Sequence, residues 1–426
     1  MKFNPEKFRF VISLFIAGLI GYYIGVTKIA VDWKNFQPHI EVTSKEPPPS
    51  LMHADFTQFW NVMEKLESSY YNKTAIDSQK MLNGAIIGMV SSLDDPYTLY
   101  LPAKQNDNFK QTLAGKFEGI GAELGMKDKQ IIIISPLDGS PAQKAGLRAG
   151  DMIVKVDDEY TTGWTLEQTV NKIRGPKGTP VMLAVVHTKG DEPKEVKITR
   201  DTISVKSLTT WTKPIKKIDG IKQNDVLKPN ADDKIVYIRL SQFGDTTNDE
   251  WQGLANKLSQ QLRADSSIKG IVFDLRNNPG GYLTDAVYIV SEFVKDGTAV
   301  MQEDKEGEKT SYSVSGKALL ADVPLVVLIN KGSASASEIV AGAIRDHIRG
   351  KLIGETSFGK GTIQQAEDLG GGSGLHVTIA KWLTPNGIWV HQKGLTPDVA
   401  VGLDKKDPSH DTQLEKAIET VLAPQE

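Results

Sequence analysis

The chain has 426 residues, more than one hydrophobic core usually organises, so two or more domains joined by connecting segments are expected. A net charge of -3, with acids and bases mixed throughout, supplies neither the basic stripe of a nucleic-acid binder nor an acidic tail. There is no cysteine, which excludes disulfides, thiolate metal sites and cysteine nucleophiles and leaves the redox compartment undetermined.

Lys2, Lys7 and Arg9 precede Phe10–Val26, a run of 17 residues with no charge and rich in Ile, Leu and Phe. That is the short end of the ~17–25 residues needed to span hydrocarbon. Gly25-Val26-Thr27 is a poor cleavage site, so residues 1–32 are expected to hold a cytoplasmic tail and an uncleaved membrane anchor. The N-terminal positive charges put the rest of the chain outside the cytoplasm, in the periplasm or at the cell exterior. Residues 33–52 carry Pro38 and Pro47-Pro48-Pro49 and read as an extended spacer with no fold of its own. Over 53–114 apolar residues recur at helical spacing: Phe56, Phe59, Trp60, Met63 and Leu66, then Met81, Leu82, Ile86, Met89 and Val90. This predicts two helices, ended at Asp94-Asp95-Pro96.

From 115 to 200 the texture changes to short β-branched runs (131–134, 152–156, 181–186, 195–199) with two helix-like pieces, 140–145 and 165–174. In Phe117-Glu-Gly119-Ile120-Gly121-Ala122-Glu-Leu124 the glycines let backbone N–H groups turn inward beside a strand edge. Such a nest captures a terminal carboxylate while the edge pairs with an extended peptide. A lone G-x-G usually marks an ordinary turn. Together with Ser140-Pro-Ala-Gln-Lys-Ala-Gly146-Leu-Arg-Ala-Gly150-Asp-Met-Ile153, however, it resembles the PDZ domain. The resemblance implies that free apolar C-terminal tails of polypeptides are bound at Gly119, Ile120, Gly121 and Ala122. Ile120, Ala122 and Leu124 would form the pairing strand and Val170 or Ile173 the helix wall, although that helix pair reads better as core. Arg174 reads as a solvated turn residue that could also reach the following domain.

Over 201–405 apolar strands (235–240, 271–275, 325–329, 351–353) alternate with helical stretches (249–264, 283–294, 337–345), the signature of βα units around a largely buried sheet. Residues 213–233 interrupt that rhythm and read as a surface excursion. A last helix is expected over 411–422 within the C-terminal segment 406–426. The fold class is therefore α/β, with a β-rich module ahead of a βα-repeat core.

The chemistry concentrates after the buried run Val326–Ile329, where the chain empties into Lys331-Gly-Ser333-Ala-Ser335-Ala336-Ser337-Glu338 and later reaches Ser357-Phe-Gly-Lys360-Gly361. Hydroxyls in a small-residue turn, with one lysine between glycines, are the parts of a serine nucleophile activated by an amine. The amine must be neutral to take a proton. Bringing a lysine from ~10.4 down by roughly three units costs about 4 kcal/mol of desolvation and positioning. Glycines around Lys360 help exclude water, and Gln364 can hold the amine by a hydrogen bond. Spacing does not choose among Ser333, Ser335 and Ser337. The turn Asp274-Leu-Arg-Asn-Asn-Pro-Gly280-Gly281 ends a strand and could supply oxyanion donors, or be a plain strand-to-helix connection.

Asp274–Gly281, Ser333–Ile339, Gly354–Gln364, and Leu383-Thr-Pro-Asn-Gly387 with Lys393-Gly-Leu-Thr-Pro-Asp398 are similar to the motifs of the carboxy-terminal processing (tail-specific) peptidases, from about Phe56 to Val401. The resemblance implies a crotonase-like spiral core and a serine endopeptidase, which the N-terminal apolar run would anchor in the membrane. It makes Ser335 the nucleophile, Lys360 the base and Gln364 the residue orienting the lysine. Gly281 and Ala336 become the oxyanion donors, with Gly280 a substitute for the former. Glu338 and Asp346 read as structural support. The family's basic residue after Leu-Thr-Pro-x-Gly is replaced by Ile388-Trp389, which bears on local substrate preference. The chemistry needs no cofactor, no metal and no nucleic acid, and is compatible with a homo-oligomer. Two other readings stand beside it. A tail-binding scaffold would keep the motifs without cutting. A nucleotide-binding loop could use Gly354–Lys360, but it needs Ser or Thr where Gly361 stands, and a following helix.

Overall fold

The computed structural model describes residues 29–34, 37–42 and 55–423, apart from 35 to 36 and 43 to 54, and from 128–129, 138, 149, 188–191, 205, 223–229, 231, 405 and 408. The expected anchor at Phe10–Val26 lies outside the described residues; among the described residues no helix is long and apolar enough to cross a membrane. The chain divides into two compact units, Met1–Leu82 and Asn83–Glu426.

In the first unit the spacer reading is corrected in part. β1 (Ile29–Lys34) and β2 (Gln37–Val42) form an antiparallel hairpin that sets Ile29 opposite Val42 and Val31 opposite Ile40. Alternating β-branched residues favour that pairing over a free linker. The proline run at 47–49 lies outside the described residues. Helix α1 (Thr57–Ser69) follows the predicted apolar spacing but buries none of its side chains. Helix α2 (Ser78–Ser91) runs from the first unit into the second.

The second unit begins with β3 (Leu99–Leu101) and α3 (Ala103–Leu113), then the β-rich module. Its elements are β4 (Lys116–Gly119), β5 (Ala122–Lys127), β6 (Gln130–Pro136), α4 (Pro141–Lys144), β7 (Met152–Val156), β8 (Glu159–Tyr160), α5 (Leu166–Ile173), β9 (Pro180–Val186), β10 (Lys194–Thr199) and β11 (Asp201–Ser204). The sheet runs β10-β9-β7-β6-β5, with β8 beside β7, so β5 is an edge strand; β4 and β11 pair separately. Both helices start on signals in the sequence. Ser140 Oγ accepts from the Gln143 N–H at 3.2 Å. Thr165 and Gln168 cap each other's backbone N–H. Ile131, Ile133, Ile153, Leu183, Val185 and Ile198 fill the module's core.

The larger core is built from β12 (Leu208–Pro214), β13 (Lys234–Leu240), α6 (Thr247–Ala264), β14 (Ile268–Asp274), α7 (Leu283–Phe293), β15 (Thr298–Asp304), β16 (Lys309–Ser313), β17 (Leu325–Ile329), α8 (Ala336–Asp346), β18 (Lys351–Gly354), β19 (Thr362–Gly370), β20 (Ser373–Leu383), β21 (Val399–Ala400) and α9 (Thr412–Leu422). The main sheet runs β12-β13-β14-β17-β18-β21 and is parallel except for β12. Its strands read as unbroken apolar runs because both faces are covered. Val236, Ile238, Ile271, Phe273, Val327 and Ile329 face the side that holds α6, α7 and α8. Ile235, Val272, Val326 and Leu328 face α9. A second sheet, β16-β15-β20-β19 with β3 on β20, was not anticipated.

The supposed surface excursion at 213–233 is also corrected: Ile215 and Ile218 are buried with α9 beneath the main sheet. Helix α9 is locked to the end of β14 by Arg276. Its guanidinium donates to Asp274 Oδ2 at 2.6 Å, to both Asp411 oxygens at 2.8 and 2.9 Å, and to Gln413 Oε1 at 3.0 Å. Asp274 is fully buried and also accepts from Tyr237 Oη at 2.7 Å. Removing the cation strands a buried carboxylate. Arg276→Met should therefore lose about 3 kcal/mol of stability in denaturant unfolding; a loss below about 1 kcal/mol would contradict this account of the network.

Candidate active site

Strand β17 is fully buried, so its continuation must turn out of the sheet at its C-terminal end, where parallel α/β sheets place their ligands. The turn ends at Ser335, the N-cap of α8, which has φ 54° and ψ -118°. For a residue with a Cβ this is a sparsely populated conformation, of the kind stored at functional sites. The structure separates the three serines that spacing could not. Ser333 Oγ donates to Leu275 O at 2.8 Å and Ser337 Oγ to Asn278 O at 2.9 Å, both fully buried. The Ser335 hydroxyl is part-exposed and donates no hydrogen bond among the described residues.

One buried carboxylate joins this turn to the lysine turn. Glu338 is fully buried and accepts four hydrogen bonds. Its Oε2 takes the Ser335 N–H at 2.8 Å and the Lys360 N–H at 2.9 Å. Its Oε1 takes the Gly359 N–H at 2.7 Å and Ser357 Oγ at 2.6 Å. The backbones of Ser335 and Lys360 are thus no further apart than two hydrogen bonds laid end to end. Asp346 has a separate supporting task, accepting the Asn386 N–H at 2.9 Å.

Lys360 Nζ makes no hydrogen bond among the described residues and lies 5.0 Å from the centre of the Tyr97 ring. Burial pushes its pKa below the ordinary lysine value, against the opposing charges of Asp95 and Glu338. Gln364 does not hold the amine here. Its Nε2 donates to Thr362 Oγ1 at 2.9 Å and Thr378 Oγ1 at 3.1 Å. The chain after Gly361 enters strand β19, where a phosphate-binding loop would open a helix.

The turn after β14 packs directly on the serine. A Cβ at Gly280, where φ is 97°, would lie 2.7 Å from Ser335 Cβ and 2.9 Å from Ala336 N. Gly280's own N–H is engaged by Asn278 Oδ1 at 2.9 Å. The N–H groups of Gly281 and Ala336 meet no acceptor among the described residues, so Gly281 rather than Gly280 has a donor to offer. Phe243 fixes Gly281 from behind: its N–H donates to Gly280 O at 2.9 Å and its carbonyl accepts from Tyr282 N–H at 3.2 Å. The same loop grips the end of α3, just ahead of the β-rich module. Asp245 N–H donates to Leu113 O at 3.0 Å and Gln242 Nε2 to Thr112 O at 2.7 Å.

In the β-rich module the edge strand β5 lies against α5, leaving its outer edge open. The N–H groups of Ile120 and Gly121 donate to nothing among the described residues. Gly121 has φ 73°, and a Cβ there would lie 2.5 Å from Ser140 Cβ, so the loop requires glycine. Ile120 is corrected from strand to core: β5 starts at Ala122, and the Ile120 side chain is buried while its carbonyl accepts from Ala142 N–H. Ile173 is core, as expected for that helix. Arg174 is a solvent-exposed turn residue, as expected, and its guanidinium also lies over the Phe117 ring at 4.9 Å.

Sequence reasoning missed Asp95 and Tyr97, which reach the lysine from a loop read only as a helix stop. It also missed the loop around Phe243, whose sole signal is a glycine after an aromatic residue. Glu338→Gln puts an amide where two of four buried donors need an acceptor. It should lower stability by about 3 kcal/mol in denaturant unfolding; an unchanged midpoint would show that the carboxylate holds neither turn.

Comparison with known proteins agrees with this geometry. The model of Peptidase family S41 matches residues 234–401, that of the PDZ domain 110–186, and that of the activating protease CtpB N-terminal domain 15–105. The carboxy-terminal processing protease CtpA of Bacillus subtilis (strain 168) is 37% identical over 348 residues, 82% of this chain and 69% of that protein. CtpB of the same organism is 36% identical over 390 residues, 90% of this chain and 75% of that protein. An S41 protease structure from Bacteroides fragilis NCTC 9343, 15% identical, has the same fold, with a TM-score of 0.53 over 89% of this chain and 98% of that chain. The chain belongs to the carboxy-terminal processing proteases of family S41, serine proteases, with a PDZ domain ahead of its peptidase domain.

Proposed function

We propose that this protease works through a serine-lysine centre, with Ser335 as nucleophile, Lys360 as general base and Gln364 orienting the amine. The observation that carries the reading is the shared Glu338 oxygen, which holds the serine and lysine backbones together beside a desolvated, unbonded amine. In the forward step the neutral Lys360 amine takes the Ser335 proton as Oγ attacks the scissile carbonyl carbon. The oxyanion is met by the Gly281 and Ala336 N–H groups. Collapse passes the lysine's proton to the leaving amine and leaves an acyl-enzyme on Ser335. Lys360 then deprotonates the water that releases the acid. Gln364 serves this scheme once the amine turns from Tyr97 toward the serine.

The substrates are polypeptides with free apolar tails. The open edge of β5 and the unbonded N–H groups of Ile120 and Gly121 support capture of an extended chain by its terminal carboxylate. The apolar run Phe10–Val26 behind basic residues supports a membrane-anchored protease whose catalytic part lies outside the cytoplasm. A second reading, that the PDZ domain tunes the reaction, is favoured by the loop 242–245, which bonds to the end of α3 on one side and to the oxyanion turn on the other.

Ser335→Ala should abolish cleavage of an unstructured protein with an apolar tail while the fold is kept; survival of cleavage would remove Ser335 from the chemistry. Because the working form of Lys360 is neutral and burial lowers its pKa, kcat/KM should rise with pH and level off below the ~10.4 of free lysine. A flat profile from about pH 5 to 10 would contradict lysine as base. Gly244→Ala forces a methyl to within 2.1 Å of Leu113 O. It should cut turnover on the order of 100-fold while a labelled tail peptide still binds; unchanged turnover would sever the PDZ domain from the oxyanion turn.

A further inference from the structure

Three aromatic rings stand in series beside the Lys360 amine, and the reaction scheme gives them no task. Trp389 and His391 stack face to face, 5.0 Å apart with 9° between planes. His391 meets Tyr97 nearly edge-on, at 6.1 Å and 70°. Lys360 Nζ lies 5.0 Å from the Tyr97 centroid. The series crosses three separate stretches of chain: the loop before β3, the turn into β19 and the segment after β20.

The outer end is anchored firmly. Trp389 Nε1 donates to Gly361 O at 2.8 Å, on the residue next to the lysine. Lys381, paired with Glu303 at 2.6 Å, lies over the indole at 5.3 Å. Val390, between the two stacked residues, is almost fully buried and pins the segment. Gly361 leaves the rings no slack: a Cβ there would lie 2.6 Å from Trp389 Nε1 and 2.8 Å from His391 Cβ. His391 Nδ1 is buried with no hydrogen-bond partner. Its ring is therefore held by stacking rather than by a bond at that nitrogen, an arrangement that asks for an explanation.

The groups facing the amine pull in opposite directions. Asp95, from the loop before β3, and Glu338, from α8, favour the ammonium. The face of the Tyr97 ring attracts an ammonium as well. Burial is nevertheless the largest influence on this amine and outweighs that attraction, so uncovering the amine favours the ammonium. His376, from β20, disfavours it when charged. With two carboxylates nearby, the amine stays neutral only if water is kept from it. The Tyr97 ring covers one side of the amine and offers no lone pair in place of the water it displaces.

We propose that the Trp389–His391–Tyr97 stack is a positioning device for Lys360, bracing the phenol ring against which the amine lies and keeping water off it. The inference rests on the reading of Lys360 as the base and adds to it the residues that hold the base ready. The replacement of the family's basic residue by Ile388-Trp389 then acts on the base rather than on substrate choice alone. In the full chain, Tyr97→Leu removes the aromatic face, and Tyr97→Phe keeps it while removing the hydroxyl.

The readout is the pH dependence of kcat/KM on one unstructured substrate, with thermal unfolding measured on each variant. The inflection should move up by about one pH unit in Tyr97→Leu and upward also in His391→Ala, which breaks the series in the middle. In Tyr97→Phe it should stay within a few tenths of a unit of the wild type. A folded Tyr97→Leu variant that keeps the wild-type inflection would overturn the proposal. So would Tyr97→Phe shifting as far as Tyr97→Leu, since the hydroxyl and not the ring would then set the base. Should Tyr97→Leu fail to fold, His391→Ala decides alone: an unmoved inflection overturns the proposal. Failure of the underlying reading looks different, because the wild type itself would then show no inflection in this range.

Discussion

Glu338 is the constraint on which the site depends. A carboxylate with no exposed surface is expensive to bury unless every oxygen is satisfied, and this one is satisfied by three backbone N–H groups and one hydroxyl. Two of those donors belong to Ser335 and Lys360, which are far apart in sequence and come from different turns. The negative charge also sits at the first turn of α8, where the exposed N–H groups of the helix favour it. The geometry of the two turns is thus set by backbone hydrogen bonds, and neither the Ser335 hydroxyl nor the Lys360 amine donates a hydrogen bond among the described residues.

Around this clamp the parallel sheet does what parallel sheets do, delivering turns to one end. β14 ends in the glycine turn that lies on Ser335 Cβ, β17 ends in the serine turn, and β18 leads into the lysine turn. No side chain could occupy position 280, because the serine turn fills the space. The second sheet carries Gln364, while the loop before β3 and the segment after β20 bring the aromatic stack beside the lysine. The loop around Phe243 ties the same glycine turn to the end of α3, just ahead of the PDZ domain, through one short piece of backbone.

Much of this was legible in the sequence, for physical reasons. Strands buried on both faces must be apolar throughout, and β13, β14 and β17 could be read directly. Helices α4 and α5 announce themselves by Ser140-Pro141 and by the Thr165 and Gln168 capping pair. The glycine, serine and lysine turns were visible because glycines and small residues cluster where backbones touch. Less legible were β15, β16, β19 and β20, half-exposed strands whose alternation is blurred by charge and whose partners are distant in sequence. Ile215 and Ile218 were hidden in a stretch with no periodicity at all. Spacing left three serines open and only the family motif pointed to Ser335; that the other two hydroxyls are bonded to Leu275 and Asn278 is tertiary information that spacing does not encode. The Tyr97 contact is likewise tertiary: nothing near Asp95-Pro96 points to a lysine so far along the chain.

The central claim is that a buried carboxylate brings a serine and an uncharged lysine together. Its most direct measurement is the site and pH dependence of covalent labelling by a fluorophosphonate, located by peptide mass spectrometry on the folded, full-length protein. The account predicts a single adduct on Ser335 whose rate of formation climbs as Lys360 loses its proton, and which is lost in both Lys360→Ala and Glu338→Gln. An adduct on another serine, or labelling of Ser335 at the wild-type rate in either variant, would contradict it.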